Sequence, residues 1–278
     1  MSQLNTPITV GIVGLGRAGW RLHLEPISKI EGFKIVAVAD PVPERTQEAS
    51  DLLGCKQFSN IDELLQGSDA QLIVVATPNH MHYSDIKKVL NARRHCLAEK
   101  PMALTYKEAE EILALAKEKG LHLFVNHTHL HLPVYHYLQS VIDSGVLGPI
   151  YHVQINWQSY ARRWDWQTLK KNGGGNLNNT CPHVVSILLP LLGSRVRSVW
   201  ADLRNIKDAG DAEDNVNVML KTESGVTGGF NSTTAHALGS NTYTLLGKYG
   251  SLVCDGKSAK LRYYDPATAK PLEVIDAA

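Results

Sequence analysis

Residues 8–19, ITVGIVGLGRAG, decide the fold: an apolar strand-like run ends in a Gly-x-Gly-x-x-Gly turn at Gly14, Gly16 and Gly19. In such a turn the first glycine permits a sharp bend, the second leaves room for a pyrophosphate, and the third lets the next helix pack close to the strand. A helix that opens here presents free N–H groups and a partial positive charge to phosphates. The pattern therefore predicts a dinucleotide site.

A second apolar run, residues 34–39, supports this interpretation because it ends in Asp40. An acid about 20 residues after the turn is expected to bind the ribose of the dinucleotide. Its carboxylate accepts hydrogen bonds from free ribose hydroxyls and repels a 2′-phosphate, so NAD is favoured over NADP. Arg17 and Arg45 are the nearby basic side chains that would weaken this preference.

The composition is typical of a globular enzyme that acts on small molecules. The chain of 278 residues is 44% hydrophobic and 20% charged, with a formal net charge of +1. A charge this small provides no basic field for nucleic acid or for an anionic membrane. The start MSQLNTP lacks a signal-peptide pattern and no apolar run is long enough to span a membrane, so we expect a cytoplasmic protein.

Strand-like and helix-like runs alternate through residues 1–126, which predicts a doubly wound parallel sheet in a dinucleotide-binding domain. We predict strands at residues 9–13, 34–39, 72–76, 95–98 and 122–125, with a possible short strand at 55–58, and helices at residues 44–53, 61–65, 83–91 and 106–119.

The alternation of strand-like and helix-like runs ends in residues 127–278, where several strand-like runs follow one another with short connections. We predict that these residues form an α+β domain with a mostly antiparallel sheet and one or two helices on a face. The expected helices are residues 134–144 and 182–192, and the expected strands are residues 150–158, 196–204, 215–221, 226–233, 242–247, 251–254 and 260–264. The two domains are expected to pack with a ligand crevice between them.

Two polar segments follow strands of the first domain, where ligands bind in open α/β sheets. One is Thr77-Pro78-Asn79-His80-Met81-His82, and the other is Glu99-Lys100-Pro101. A lysine at a strand end, beside a carboxylate, is placed to give or take a proton if partial burial lowers its pKa. Alternatively, Glu99 and Lys100 form a structural ion pair and Pro101 starts the next helix.

Alternating histidines and single cysteines are the other residues that suggest metal chemistry. His127, His129 and His131 would share one face of an extended segment, but neighbours on that face lie nearly 7 Å apart, which is wide for ligands about 2 Å from zinc. We therefore expect no metal. The cysteines are too scattered for a paired metal motif, and we expect free thiols at Cys55, Cys96, Cys181 and Cys254.

Five motifs in order, GLGRAG, AVAD, ATPNHMH, AEKP and GGGNLNNTCPH, resemble the glucose-fructose oxidoreductase and myo-inositol dehydrogenase (Gfo/Idh/MocA) family over nearly the whole chain. The resemblance implies a Rossmann domain, a second domain with an open and mostly antiparallel sheet, and a nicotinamide dinucleotide. The implied cofactor contacts are Gly14, Gly16, Arg17, Gly19, Asp40, Thr77, Pro78, Asn79, His82 and Glu99.

The resemblance also implies which residues are catalytic, and at two positions this chain departs from the family pattern. It places Lys100 next to the substrate hydroxyl or carbonyl and aligns His183 with the family's active-site histidine. The aspartate usual four residues earlier is Asn179, and a later acid is Ser186. An amide binds a hydroxyl but does not accept a proton at neutral pH, so acid and base work would fall to Lys100 and His183.

The segment Arg162-Arg163-Trp164-Asp165-Trp166-Gln167 precedes the glycine run and is expected to overhang the crevice. Indoles pack on the C–H faces of sugars and guanidinium groups bind hydroxyls or acids, so Arg163 and Trp166 join Lys100, Asn179 and His183 as candidate substrate contacts. The alternative is a surface loop or a subunit contact.

These features predict an NAD-dependent oxidoreductase that transfers hydride to or from a sugar, cyclitol or related polyol. The alternatives are a catalytically silent dinucleotide-binding sensor, suggested by Asn179, and an NAD-assisted lyase or glycosidase without net redox change. Family members generally run past the end of this chain with a late helix, so the second domain is expected to be incomplete and to pair through its sheet in a homodimer or homotetramer.

Overall fold

The parallel sheet predicted from the alternating pattern is present in the first of two compact units, which holds the described residues up to His127 together with Lys170–Gly174. A computed structural model describes residues 6–269. Neighbouring strands are all parallel, in the order β3-β2-β1-β4-β5-β6 of a doubly wound Rossmann sheet. The strands are β1 Ile8–Val13, β2 Phe33–Ala39, β3 Lys56–Phe58, β4 Leu72–Val75, β5 His95–Ala98 and β6 Leu123–Val125.

Four helices connect these strands close to the predicted positions: α2 Pro43–Leu53, α3 Ile61–Gly67, α4 His82–Asn91 and α5 Tyr106–Lys119. A short helix before them, α1 Glu25–Ile27, is additional to the predicted set. The chain reaches α1 through a π-helical turn, Gly19–Leu24, that begins at the last glycine of the pattern. Pro101 does not start the next helix, because the N-cap of α5 is Thr105, whose side chain accepts the Glu108 N–H.

Both faces of the parallel sheet are buried, which explains its continuous apolar strands. Ile12 and Val74 belong to one apolar cluster, whereas Ile73 and Val75 belong to the cluster on the other side. Successive residues of a strand point to opposite faces, so helices must cover both.

The second unit, Thr128–Leu169 and the residues from Gly175 onward, is an α+β unit. Its sheet has the order β13-β12-β11-β7-β10-β9-β8, and only β7 and β10 pair in parallel. The mostly antiparallel prediction is confirmed. The elements are α6 Pro133–Asp143, β7 Ile150–Gln158, α7 Asn176–Asn179, α8 Cys181–Leu192, β8 Val196–Arg204, β9 Asn215–Thr222, β10 Thr227–Thr233, β11 Tyr243–Gly247, β12 Gly250–Cys254 and β13 Ala259–Tyr263.

The two faces of this sheet differ in chemistry. Helix α8 packs on one face so closely that a Cβ added at Gly228 would lie 2.9 Å from Leu192. The opposite face carries a chain of amides, in which Gln158 donates to Asn231 (2.7 Å) and Asn231 donates to Asn217 (2.7 Å). The apolar core of the unit therefore lies on the helix side.

The histidine-rich segment is not extended, contrary to the arrangement considered from the sequence. Thr128–His131 forms a 3₁₀ turn, so the alternating histidines do not share a strand face. No group of three or more potential metal ligands occurs within residues 6–269. Within the same residues, no helix is both long enough and apolar enough to cross a bilayer.

Two glycines of the turn after β1 provide a test of its packing. A Cβ at Gly19 would overlap the carbonyl oxygen of Gly14, whereas a Cβ at Gly16 would meet no atom within 4 Å. We expect Gly19→Ala to lower the free energy of unfolding by about 1–3 kcal/mol through overpacking, and Gly16→Ala to change it by less than about 0.5 kcal/mol. Urea denaturation measures both, and equal stabilities would contradict the close packing.

Candidate active site

The glycine turn is held in place by the carboxylate at the end of β2. Gly14 has a φ of +88°, and a Cβ there would lie 2.7 Å from the Ala76 carbonyl oxygen after β4. The buried Asp40 carboxylate accepts the N–H of Leu15 (2.7 Å) and that of Val42 (2.9 Å). The turn therefore lies between the carboxyl ends of β1 and β4, where the strand order reverses and dinucleotides bind.

Arg45 only partly offsets the charge of Asp40. Its guanidinium lies 3.4 Å from both carboxylate oxygens, and its side chain is 48% exposed. An ion pair this long and exposed is weak. The Arg45 side chain therefore binds Asp40 only weakly.

The loop after β4 is anchored by buried hydrogen bonds. Thr77 donates its hydroxyl to Asp85 (2.8 Å), and Asn79 donates its amide to the carbonyl oxygen of Gly173 (2.9 Å). A Cβ at Gly173 would lie 2.8 Å from Leu104, so this glycine permits the close approach. Lys170–Gly174, the segment that ends in the first two glycines of the glycine run, therefore belongs to the first unit.

His82 connects two loops rather than standing open at their surface. Its side chain is buried, with Nε2 2.7 Å from the Thr77 carbonyl oxygen and Nδ1 2.6 Å from that of Pro101. Burial lowers the pKa of His82, while the two carbonyl oxygens and the charges of Glu99 and Asp85 oppose that shift. The imidazole thus joins the loop after β4 to the loop after β5.

Glu99 is the centre of a buried polar network. Its Oε1 lies 2.8 Å from His23 Nε2 and accepts the Asn126 amide at 2.7 Å, while Oε2 accepts the Lys100 N–H at 3.3 Å. Burial alone would raise the pKa of Glu99, but the hydrogen bonds from His23 and Asn126 and the charges of His23 and Lys100 lower it below its usual value. The carboxylate is therefore ionised at neutral pH.

Glu99 is hydrogen-bonded to His23 and Asn126, and neither residue was predicted from the sequence. Asn126 directly follows β6, so the rule that places ligands at carboxyl ends of parallel strands could have found it. His23 lies in the π-helical turn, and no sequence signal marked it.

Lys100 interacts electrostatically with Glu99 and His127, which belong to the same unit. Its positive charge lowers the pKa of both Glu99 and His127, although burial is the larger cause of the lowered pKa at His127. His127 Nδ1 is buried and has no hydrogen-bond partner within the described part of the chain. The Lys100 side chain and a neutral imidazole thus lie close to an ionised, buried carboxylate.

His183 has an imidazole partner that the sequence interpretation did not assign to it. Its Nδ1 lies 2.9 Å from Nδ1 of His129, and the two ring centroids are 4.1 Å apart. The Trp157 ring packs edge-on to His129 at 4.8 Å. Since two facing nitrogens need one proton between them, each ring constrains the tautomer of the other.

The structure brings two other predicted substrate contacts together. Arg163 and Asn179 line one small cleft of the second unit, with Glu213 and Asp214. Trp166 starts a short 3₁₀ turn capped by Asp165 and does not line this cleft. Ser186 donates its hydroxyl to the His183 carbonyl oxygen (2.8 Å), as a helix residue does locally.

The cysteines are buried and free, as predicted. Burial raises the pKa of Cys181 to about 12. The thiol that precedes Pro182 is thus a packing group in the core of the second unit rather than a nucleophile.

Family profiles match both units. Residues 8–127 match the oxidoreductase family with an NAD-binding Rossmann fold, and residues 135–253 match the GFO/IDH/MocA C-terminal domain. The chain belongs to the Gfo/Idh/MocA family of NAD-binding oxidoreductases, as its motifs predict.

Relatives of the chain include proteins named for sugar chemistry. One is the dTDP-3,4-didehydro-2,6-dideoxy-alpha-D-glucose 3-reductase of Actinomadura kijaniata, 28% identical over 97% of this chain and 80% of that protein. Another is the 2,7-anhydro-N-acetylneuraminate hydratase of Escherichia coli K12, 28% identical over 77% of this chain and 57% of that protein.

A solved structure supports the same relationship. The WlbA dehydrogenase of Bordetella pertussis, in complex with NADH and UDP-GlcNAcA, superposes with a TM-score of 0.86 at 26% identity. The match covers 94% of this chain and 79% of that one.

The buried carboxylate network predicts a dependence of stability on pH. Because the pKa of Glu99 in the folded protein lies below its ordinary value of 4.5, its stabilisation is present above pH 4.5 and is lost as the pH falls through the lowered value. We expect Glu99→Gln to lower the free energy of unfolding at pH 7 by about 1–3 kcal/mol, and this difference to shrink in acid.

Urea denaturation of both proteins between pH 7 and acid measures the difference. Glu118→Gln, an exposed change on α5, is the matched control and should show neither effect. A difference for Glu99→Gln that stays constant with pH would contradict the assignment.

Proposed function

We propose that this protein transfers hydride between a nicotinamide dinucleotide and a CH–OH group of a sugar, cyclitol or related polyol, with Lys100 as the proton donor or acceptor. The observation that carries the proposal is the position of Lys100 directly after β5, next to the buried network of Glu99, His23 and Asn126. A proton-transfer group is effective only when its position is fixed, and this network fixes the chain on both sides of β5.

The first unit fits a dinucleotide. Space over Gly16, the close approach at Gly14 and the backbone N–H groups after β1 suit a pyrophosphate, and the buried Asp40 side chain suits an unphosphorylated ribose. When bound, the nicotinamide supplies or accepts the hydride. Gly14, Gly16, Arg17, Gly19, Asp40, Thr77, Pro78, Asn79 and Glu99 would hold the cofactor or shape its site.

For His82 we propose support rather than contact, because both ring nitrogens already face backbone carbonyl oxygens. The imidazole would keep the loop after β4 and the Lys100 loop at a constant separation. A fixed separation preserves the alignment that hydride transfer needs.

Lys100 handles the proton that accompanies the hydride. In oxidation its Nζ accepts the hydroxyl proton as hydride leaves carbon, and in reduction it returns a proton to the carbonyl oxygen. In the second unit His183 would bind a substrate oxygen, with His129 setting its tautomer. Asn179 and Arg163 would bind further hydroxyl groups, and the indole of Trp166 would pack on a C–H face of the ring.

A second reaction class is favoured by two observations. Asn179 stands where the family usually has a carboxylate, and the Escherichia coli relative is named a hydratase. Lyase or glycosidase chemistry, in which hydride leaves and returns, would form product without a net change in reduced nicotinamide. A catalytically silent sensor would form no product and cause no change in reduced nicotinamide with any polyol of a panel. Product analysis together with the absorbance of reduced nicotinamide therefore distinguishes the oxidoreductase, the lyase or glycosidase, and the sensor.

We further propose a cytoplasmic homodimer or homotetramer that pairs through the amide-bearing face of the second unit's sheet. Besides the amides, strands β8 and β9 expose Trp200 and Met219 opposite each other, with Trp200 59% exposed. A tryptophan amid satisfied amides is typical of a protein interface.

Replacing Lys100 tests its role directly. We expect Lys100→Met to bind the dinucleotide as the unaltered protein does and to lose about 10²–10⁴-fold in turnover. Binding is measured by calorimetry and turnover by absorbance of reduced nicotinamide. Lys107→Met, an exposed change on α5, should alter neither, and an active Lys100→Met protein would overturn the assignment.

Replacing Asp40 tests the choice of cofactor. We expect Asp40→Ser to narrow the preference for NAD over NADP, because a hydroxyl neither repels a 2′-phosphate nor binds both ribose oxygens. Glu48→Ser, an exposed change on α2, is the control. Calorimetric titration with both dinucleotides measures the ratio, and an unchanged ratio would refute the role.

A further inference from the structure

Asp85 is a buried carboxylate of the first unit to which the proposed function gives no role. It lies in the first turn of α4 and is 2% exposed, on a helix whose other buried residues include Ile86 and Val89. Within residues 6–269 its carboxylate has one hydrogen-bond partner, the hydroxyl of Thr77, at 2.8 Å.

The burial of Asp85 is unfavourable to the fold. Burial raises the pKa of Asp85 above its ordinary value of 3.8, and the charge of Asp62 adds to this shift. The Thr77 hydrogen bond and the charges of Lys88 and His82 oppose the shift without cancelling it. Because the pKa is higher in the folded protein than in the unfolded chain, ionisation of Asp85 lowers the free energy of unfolding. A carboxylate that weakens the fold points to a role other than stability.

The partner of Asp85 lies at the switch point of the parallel sheet. Thr77 follows β4, and a Cβ added at Gly14 would lie 2.9 Å from its backbone nitrogen. In the strand order, Thr77 is one strand from Lys100, after β5, and two strands from Asp40, after β2. Since hydride exchange is proposed beside Lys100, the nicotinamide end of the dinucleotide is the end that Thr77 would meet.

The hydrogen bond to Asp85 determines what the Thr77 hydroxyl offers to a ligand. A hydroxyl has one hydrogen, so a hydroxyl that donates to Asp85 faces any other group only as an acceptor. The backbone of Thr77 is held as well, because its carbonyl oxygen lies 2.7 Å from Nε2 of His82, one turn before Asp85 on α4. At the nicotinamide end of the cofactor, the carboxamide carries the N–H donors that suit such an acceptor.

We propose that Asp85 is a positioning residue for nicotinamide, which holds the Thr77 hydroxyl as the acceptor of the carboxamide N–H of the cofactor. The inference rests on the proposed function, which puts the nicotinamide ring beside Lys100. Because the carboxamide is bonded directly to the ring, a fixed acceptor limits the rotation of the ring and helps to align it for hydride exchange. Asp85 acts through Thr77 and touches neither cofactor nor substrate.

A comparison of two dinucleotides tests this role by binding rather than turnover. In 3-acetylpyridine adenine dinucleotide a methyl group replaces the carboxamide NH₂, so the N–H donor is missing. We expect the unaltered chain to bind NAD about 3- to 10-fold more tightly than this analogue, as the loss of one hydrogen bond implies. Asp85→Leu and Thr77→Val should bind the two about equally in calorimetric titrations. A preference for NAD that survives in Asp85→Leu, or that is absent from the unaltered chain, overturns the inference.

Three further variants show whether Asp85 acts through Thr77. The double variant of Asp85→Leu and Thr77→Val should have the NAD affinity of Thr77→Val alone, because both changes remove the same hydrogen bond. Asp85→Asn keeps an acceptor oxygen and should retain the preference for NAD. Asp51→Leu, an exposed change on α2, is the matched control and should also retain it. Additive losses in the double variant, or loss of the preference in Asp85→Asn, overturn the role.

Unfolding of the cofactor-free protein separates positioning from a structural role. At pH 7, Asp85→Leu should unfold at the same or a higher urea concentration, because it removes a buried carboxylate. Thr77→Val should unfold at a lower concentration, because it leaves that carboxylate without its partner. A lower midpoint for Asp85→Leu would show that Asp85 serves the fold and would overturn the inference.

The outcomes also separate this inference from the proposed function. Lys100→Met should keep the preference for NAD over the analogue, because neither Asp85 nor Thr77 is changed. An active Lys100→Met protein would refute the proton role of Lys100 and leave the role of Asp85 intact. Normal hydride transfer with the same preference in Asp85→Leu as in the unaltered chain would refute the role of Asp85 alone.

Discussion

The buried carboxylate of Glu99 is the constraint on which the first unit depends. A buried charge is unfavourable unless it is paired and hydrogen-bonded, and here the partners are His23, Asn126 and the N–H of Lys100. These residues belong to the turn after β1 and to the ends of β5 and β6. One carboxylate thus ties three segments together at the carboxyl edge of the sheet, and the position of Lys100 follows from that tie.

Asp40 acts on the same physical principle at the other side of the switch point. Its carboxylate binds the backbone N–H groups of Leu15 and Val42, so the residue expected to meet the ribose also holds the glycine turn in shape. His82 does similar work for the loops after β4 and β5. Residues of the predicted binding motif therefore stabilise the local backbone.

The second unit departs from the family pattern at Asn179, and the structure gives His183 a different polar neighbour. The Nδ1 atoms of His183 and His129 share one hydrogen bond, beside the ring of Trp157. An imidazole partner sets the tautomer of His183 as a carboxylate would, but it adds no fixed negative charge.

The sequence by itself determined the elements and the cofactor motif. Strands such as β5 and β7 and helix α5 have the predicted bounds, because apolar periodicity, caps and glycine turns are local properties. The same locality explains one error: alternating histidines indicate a shared face only in extended chain, and Thr128–His131 turns instead.

Only the tertiary structure decided which side chains meet. His23 and Glu99 are 76 residues apart, and His129 and His183 are 54 residues apart. Such pairs depend on the strand order and on the crossing of whole elements, which no local pattern encodes. The assignment of Lys170–Gly174 to the first unit has the same origin, since Asn79 donates its amide to the Gly173 carbonyl oxygen and His80 Nδ1 lies 3.3 Å from that of Asn172.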